Sequence, residues 1–424
     1  MPVNAVTRNW KNYVSVNLIV LVLLTFVAII TRLWVLTAIP IGFLFGFFLQ
    51  KGNLCGTSAF SEVLLMKDWR KIWGIWVCIV TGMVGFALLD LLELVTLNPK
   101  PFIWSSVLLG GLSFGIGMVL AGGCVSGCLF KAGVGNLNSM AGLLGIALGV
   151  AMVEHGPLLS LHTKLKSIVI KTPEGGPVTL SSLTGIPFWM LALIFLIATV
   201  TFAFVFKRKR PRTEKNKFSF KERLLLKSWK PWQAGLLIGL LGILAYLSSA
   251  ASGRNYPLGV THGVLHIQLL ITDQNLNHVY QSKPDLAKVD VKTASESKGE
   301  VMRSETAVGK SPGKKVSWWL IALVFSLVIG SWISAKLSGE SRLQSKPPEQ
   351  VITAFIGGLL VGIGAAIATG CVIGNIISGW ALMSVGSILF GIIVVLSNWM
   401  ATYFYIMGGT VRELVSWVSK SQTQ

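Results

Sequence analysis

Long apolar runs alternate with short polar stretches along the whole chain. The runs lie near 14–31, 34–50, 72–95, 103–121, 139–160, 187–206, 232–251, 317–335, 350–369 and 382–406. Each is long enough, as a helix, to cross roughly 30 Å of hydrocarbon. The pattern predicts an all-α polytopic membrane protein of about ten transmembrane helices. The first run follows Arg8 and Lys11 and is closed by Arg32, with no small-x-small cleavage site. It therefore reads as a retained helix rather than a signal peptide.

The polar stretches set the orientation. Residues 207–230 carry eleven Lys/Arg and two Glu. Such a cluster belongs on the cytoplasmic side. Counting spans outward places Lys67, Arg70 and Lys71 inside, the loop near 160–185 outside, and Lys336, Arg342 and Lys346 inside. Both termini then fall inside. Trp69, Trp73, Trp229, Trp232, Trp318 and Trp319 stand at predicted span ends, where aromatic anchors are expected. Residues 273–315 do not suit a membrane. They hold eight Lys/Arg and six acids among small polar residues, and read as a polar external insert.

Composition agrees. Of 424 residues, 53% are apolar and 13% charged. A soluble chain would carry about a quarter charged. Five cysteines are too few and odd in number for a disulfide scaffold. The net charge of +20 would suggest nucleic acid in a soluble protein. Here the basic residues gather in loops between spans, so the expected partner is the lipid bilayer and nucleic acid is excluded.

The chain also repeats itself. Residues 110–127 read GGLSFGIGMVLAGGCVSG and residues 357–374 read GGLLVGIGAAIATGCVIG, with eleven of eighteen positions identical. The predicted topology sends the first copy inward and the second outward, so the repeat is expected to be inverted. Asn136 follows the first copy in GVGNLNS, and Asn375 follows the second in GNIIS. The expected organisation is an extra N-terminal helix (1–32), a first half (33–206) and a basic cytoplasmic linker (207–230). A second half (231–272 and 316–410) follows, interrupted by the insert 273–315, with a cytoplasmic tail (411–424).

Cysteine is the candidate chemistry. Cys55, Cys124 and Cys371 each stand beside glycine in a sequence that would break a helix. Gly123 and Gly370 are the adjacent glycines of the two repeat copies. Broken or re-entrant helices at membrane depth survive only when buried in protein or lining a cavity, so each thiol is expected at a pathway. Cys128 lies four residues after Cys124 and could share its helical face. Cys78, in the middle of an apolar run, reads as packing. Glu62 reads as a structural cap or partner near Cys55. Arg254 either attracts an anion at the external mouth or snorkels to headgroups.

The arrangement does not read as a zinc site, because His262 and His266 have no cysteine beside them. Nor does it match the C-x-x-C spacing of thiol oxidoreductases. No metal or cofactor is expected. A nucleotide loop of the GxxxxGKS type is absent from the sequence. Neutral thiols, kept uncharged by burial without a nearby cation, would give soft, weak contacts to a small sulfur-containing anion. Successive weak sites let an ion enter and leave.

The motifs LCGTSAFSE, AGGCVSGCLFKAGVGNLNS, SGRNYPLGVTHG and GCVIGNIISGWALMS resemble the YeeE/YedE sulfur transport family. The resemblance covers roughly 40–150, 232–270 and 350–410. It implies a prokaryotic inner-membrane permease for thiosulfate, with a path through Cys55, Cys124 and Cys371. One branch of that family is linked to selenium. The extra N-terminal span, the basic loop and the 273–315 insert depart from the family pattern. Two alternatives remain beside thiosulfate permeation. One is a membrane sulfur-relay enzyme that hands sulfur to a cytoplasmic sulfur-carrier protein. The other is a permease for a selenium compound.

Overall fold

The computed structural model describes residues 33–172, 175–207, 228–273, 276–279 and 314–408, with parts of 19–31. Part of the predicted span 14–31, most of the basic linker and of the insert, and the tail 411–424 lie outside the described residues.

Among the described residues, nine stretches are helical, long and apolar enough to cross a membrane. They coincide with the nine remaining runs predicted from the sequence. The protein is thus a multi-pass, all-α membrane protein, with one short parallel ladder of β1 (Leu276–Val279) and β2 (Lys314–Ser317) flanking the insert.

Three of the nine stretches are bent back or broken at glycine. The first contains α1 (Ala38–Gly52) and α2 (Gly56–Met66). Helix α3 (Arg70–Leu91) follows. The next broken stretch contains α4 (Trp104–Leu120) and α5 (Val125–Val134), followed by α6 (Leu137–Glu154). Short helices α7 (Leu159–Ser167) and α8 (Leu180–Thr184) lead to α9 (Phe188–Lys207). The second half holds α10 (Pro231–Ala251), α11 (Thr261–Thr272) and α12 (Trp318–Ser338). The last broken stretch runs from α13 (Pro348–Ile367) into a π-helical turn (Val372–Ile377) and α14 (Ser378–Ala381). Helix α15 (Val385–Ala401) closes the described bundle.

Small residues decide how these helices meet. In lipid, helices gain little from hydrophobic burial against one another, so close approach at glycine supplies much of the packing. At the centre α4 crosses α13. A Cβ at Gly110 would stand 2.8 Å from the Gly364 carbonyl, and one at Gly117 would stand 2.7 Å from the Gly357 carbonyl. Rising residue numbers on α4 thus meet falling numbers on α13, and the two helices run antiparallel.

The neighbours are arranged reciprocally. Helix α1 packs on α12, and α10 packs on α3. Both pairs are parallel: Gly42 faces Leu323 and Gly46 faces Leu327, while Gly74 faces Pro231 and Gly85 faces Ile243. Helix α6 packs on α13, and α15 packs on α4. Helix α9 lies outside, on α3, with Trp76 Nε1 donating to Thr199 Oγ1 at 3.0 Å.

One aromatic expectation is corrected. Trp69 and Trp232 are exposed, as anchors should be, but Trp319 is only 1% exposed. Its indole donates to Ser248 at 2.9 Å, inside the bundle. Facing helices supply that partner, so a span end is here a protein interior.

Candidate functional site

Each of the three singled-out cysteines occupies the same local position. Cys55, Cys124 and Cys371 are the extended residues that immediately precede α2, α5 and the π-helical turn. Their carbonyls accept the first helical hydrogen bonds, from Ala59, Cys128 and Asn375 at 2.9, 2.8 and 2.8 Å. The preceding helix ends in a left-handed residue each time: Asn53, Gly122 and Thr369. That reversal lets a second helix start within a few residues of the first. All three thiols are buried.

The starts of these half-helices converge. One small cavity is lined by Gly56 of α2, Ser126 of α5, and Val372 and Ile373 of the π-helical turn. Gly127 makes room for two thiols. A Cβ there would lie 2.8 Å from Cys55 Sγ and 3.5 Å from Cys124 Sγ. The Cys55 and Cys124 sulfurs thus lie on the same side of α5, Cys124 Sγ is 3.4 Å from Ser126 Oγ, and Cys371 lies near enough to Cys124 to interact electrostatically. Cys78, read from the sequence as packing, is the cysteine that lines this cavity, from α3; Cys55, Cys124 and Cys371 stand next in sequence or close to its lining residues Gly56, Ser126 and Val372. Helix starts carry partial positive charge and unpaired N–H groups, so their convergence favours an anion.

The fourth such position differs. Val260 precedes α11 as Cys55 precedes α2, and the chain has no thiol there.

The polar residues around the thiols differ between the two copies, and Asn136 and Asn375 stand in different places. Asn136 caps α6, its side chain accepting from Ser139 N at 3.2 Å and donating to Gln344 at 3.3 Å. The residue at the Asn375 position of the first copy is Cys128. Asn375 Nδ2 donates to the Gly370 carbonyl at 2.8 Å, and Cys128 Sγ to the Gly123 carbonyl at 3.5 Å.

The thiol path is also not free of cations. Lys131, on α5, donates to the Gly122 carbonyl at 2.6 Å and interacts with Cys55, Cys128 and Cys124. Glu62 pairs with Lys71, as its structural reading anticipated, and Lys71 also donates to Ser58 at 3.0 Å.

A second cationic group stands beside Cys371. Lys100 Nζ donates to the Thr369 carbonyl at 2.5 Å and to Asn375 Oδ1 at 2.7 Å. Tyr256 Oη donates to the Gly374 carbonyl at 2.7 Å. Arg254 lies over the rings of Tyr256 and Trp319, at 5.7 and 5.2 Å, and donates to the Pro257 carbonyl. Its guanidinium is directed into the protein rather than toward headgroups. Burial lowers the Lys100 ammonium from 10.5 to about 7, the Cys371 side chain opposing and Arg254 reinforcing the shift.

Neither lysine was singled out from the sequence. Lys131 carried a signal, being a charge inside an otherwise apolar broken span. Lys100 sits in the loop segment Asn98–Pro99–Lys100–Pro101 and carried none. Its importance comes from a contact with Thr369, 269 residues away.

A bundle of membrane-spanning helices, three of them broken beside a cysteine and continued by half-helices whose first residues line one small cavity, defines a multi-pass membrane protein with a buried site between those half-helices. The chain belongs to the sulphur transport family, whose pattern matches residues 51–400. It is 30% identical to the thiosulfate transporter TsuA of Spirochaeta thermophila over 88% of this chain and 96% of that protein. It is 26% identical to the thiosulfate transporter TsuA of Escherichia coli, over 87% and 94%. A shorter match, 28% identical over 26% of this chain and 27% of the relative, joins it to the probable transporter YedE of Escherichia coli.

Proposed function

We propose that this protein is an inner-membrane permease that passes thiosulfate, or a closely related sulfur oxyanion, through the site framed by Cys55, Cys124 and Cys371. The observation that carries the reading is the convergence of three cysteine-led half-helices on one cavity. Helix starts favour the negative charge, and thiols offer weak S–H donation and a polarizable contact to the terminal sulfur of the anion. Several weak contacts in series permit release as well as capture. Two relatives named thiosulfate transporters cover most of their length with this chain and support the substrate class.

The two halves form an inverted repeat in this reading. Antiparallel α4 and α13, with the reciprocal pairs α1–α12 and α10–α3, support it. The positive-inside rule puts the 207–230 linker in the cytoplasm and the Lys100–Arg254 side outside. The 273–315 insert is then external.

The test is uptake of sulfur-labelled thiosulfate into proteoliposomes holding the purified protein, with sulfate as competitor. Saturable uptake that sulfate inhibits weakly is expected. Persulfide accumulation on a cysteine without flux would overturn the permease reading in favour of sulfur relay.

A further inference from the structure

The repeat places Gly122 of the first half opposite Thr369 of the second, 247 positions apart. Both residues are left-handed, at φ +66° and +56°, and both lie two positions before the half's cysteine. The carbonyl of each accepts a lysine ammonium, Gly122 from Lys131 and Thr369 from Lys100.

Duplication alone does not account for this. The position equivalent to Lys131 in the second half is Ser378, which donates to the Leu258 carbonyl instead. Lys100 arrives from the loop before α4, in the other half. An ammonium has therefore been brought to the same carbonyl by two separate routes. Because α4 and α13 are antiparallel, these carbonyls stand toward opposite ends of the bundle.

A loop carbonyl could be satisfied by a neutral donor at much lower desolvation cost. Charges inside a membrane bundle mark ion pathways. Among the described residues, neither lysine has a carboxylate within ion-pair distance. The nearby Glu62 is taken by Lys71. Each end of the thiol path thus presents an amino group that no carboxylate among the described residues pairs with.

We infer that Lys100 and Lys131 are two anion-binding stations bracketing the thiols, each pairing with a divalent oxyanion as it enters or leaves the path. At one end Arg254, stacked between Tyr256 and Trp319, adds a second positive charge to the Lys100 station. The hydrogen bond to the loop carbonyl fixes each ammonium beside the cysteine that follows. This inference rests on the permease reading.

Lys100→Gln and Lys131→Gln retain an N–H donor for the carbonyl and remove the charge. Lys100→Arg and Lys131→Arg retain the charge. All four are compared with the wild-type protein in proteoliposomes, at matched amounts of monodisperse protein, using labelled thiosulfate below saturation. The Gln variants are expected to lose about tenfold or more in uptake, chiefly through a raised half-saturation concentration, and the Arg variants to recover part of it. Wild-type uptake should also fall with ionic strength, and the Gln variants should lose much of that dependence. Gln variants with wild-type uptake would overturn the stations while leaving the permease intact. Wild-type protein that moves no thiosulfate would overturn the permease reading, and the stations with it. If a Gln variant does not fold, wild-type uptake that ignores ionic strength would overturn the inference.

Discussion

Cys128 and Asn375 hold the same place in the two halves of the molecule, each donating to the carbonyl just before the half's cysteine. The asparagine does more: it also donates to the Ala368 carbonyl at 3.2 Å and accepts from Lys100. The second loop is thus held by a network and the first by a single weak thiol contact. Asn375→Leu strands two carbonyls and should cost about 2–3 kcal/mol. Cys128→Ser keeps a donor and should stay within about 1 kcal/mol of wild type. Thermal unfolding of both variants in one detergent checks the contrast.

Replacing Cys55, Cys124 or Cys371 by Ala should lower thiosulfate uptake by about tenfold or more, equivalent to about 1.4 kcal/mol. Ser should recover only part, because it keeps a donor and loses the polarizable sulfur. Cys78→Ala should retain most of the uptake: Cys78 faces the cavity from mid-helix and precedes no half-helix. Wild-type uptake in Cys124→Ala and Cys371→Ala, at equal membrane amounts, would return both residues to packing.

Uptake should depend on pH through Lys100. Its ammonium is lowered to about 7 by burial, so the charge is present below that value and lost as pH rises through it. The charged and titratable groups around it are Arg254, Tyr256 and Cys371. Burial lowers Arg254 only to about 10 and pushes Tyr256 upward, so neither changes charge near neutrality. Subsaturating uptake should therefore fall between about pH 6 and about pH 8 on the Lys100 side, and Lys100→Arg should flatten the profile. An unchanged profile in Lys100→Arg would assign the titration elsewhere.

The central crossing should be intolerant of a single methyl group. In Gly110→Ala the new Cβ would lie 2.8 Å from the Ala368 N and the Gly364 carbonyl. Forcing α4 from α13 should cost about 1–3 kcal/mol. Gly82→Ala meets the Ala381 Cβ at 3.5 Å and the Phe86 ring at 3.9 Å, both ordinary contacts, and should be neutral or stabilising by up to about 1 kcal/mol. Melting temperatures of the two purified variants decide the matter.

Sidedness has its own test. A single cysteine at Ser219, in the basic linker, should resist an impermeant thiol reagent added outside cells, and one at Ser295, in the insert, should react. The reverse pattern would invert the assigned orientation.

The sequence by itself determined the spans, because the bilayer imposes a length and an apolarity that local composition must meet. It also shows two similar segments, 110–127 and 357–374, and three thiols at helix breaks, since glycine beside cysteine is a local signal. What lay beyond it depended on contacts between distant segments. The 247-residue offset of the two similar segments sets Cys128 against Asn375, and the fold adds that each side chain donates to the carbonyl before the neighbouring cysteine, a contact that unlike letters do not reveal. The sequence placed Trp319 at an interface with lipid, whereas α10 covers that face with Ser248. Of the two lysines beside the thiols, Lys131 was legible as a charge inside an apolar span, while the place of Lys100 was decided by tertiary structure. Lys131 acts on a loop nine residues back, and Lys100 on one 269 residues ahead, and only packed helices bring an ammonium to that carbonyl in both halves.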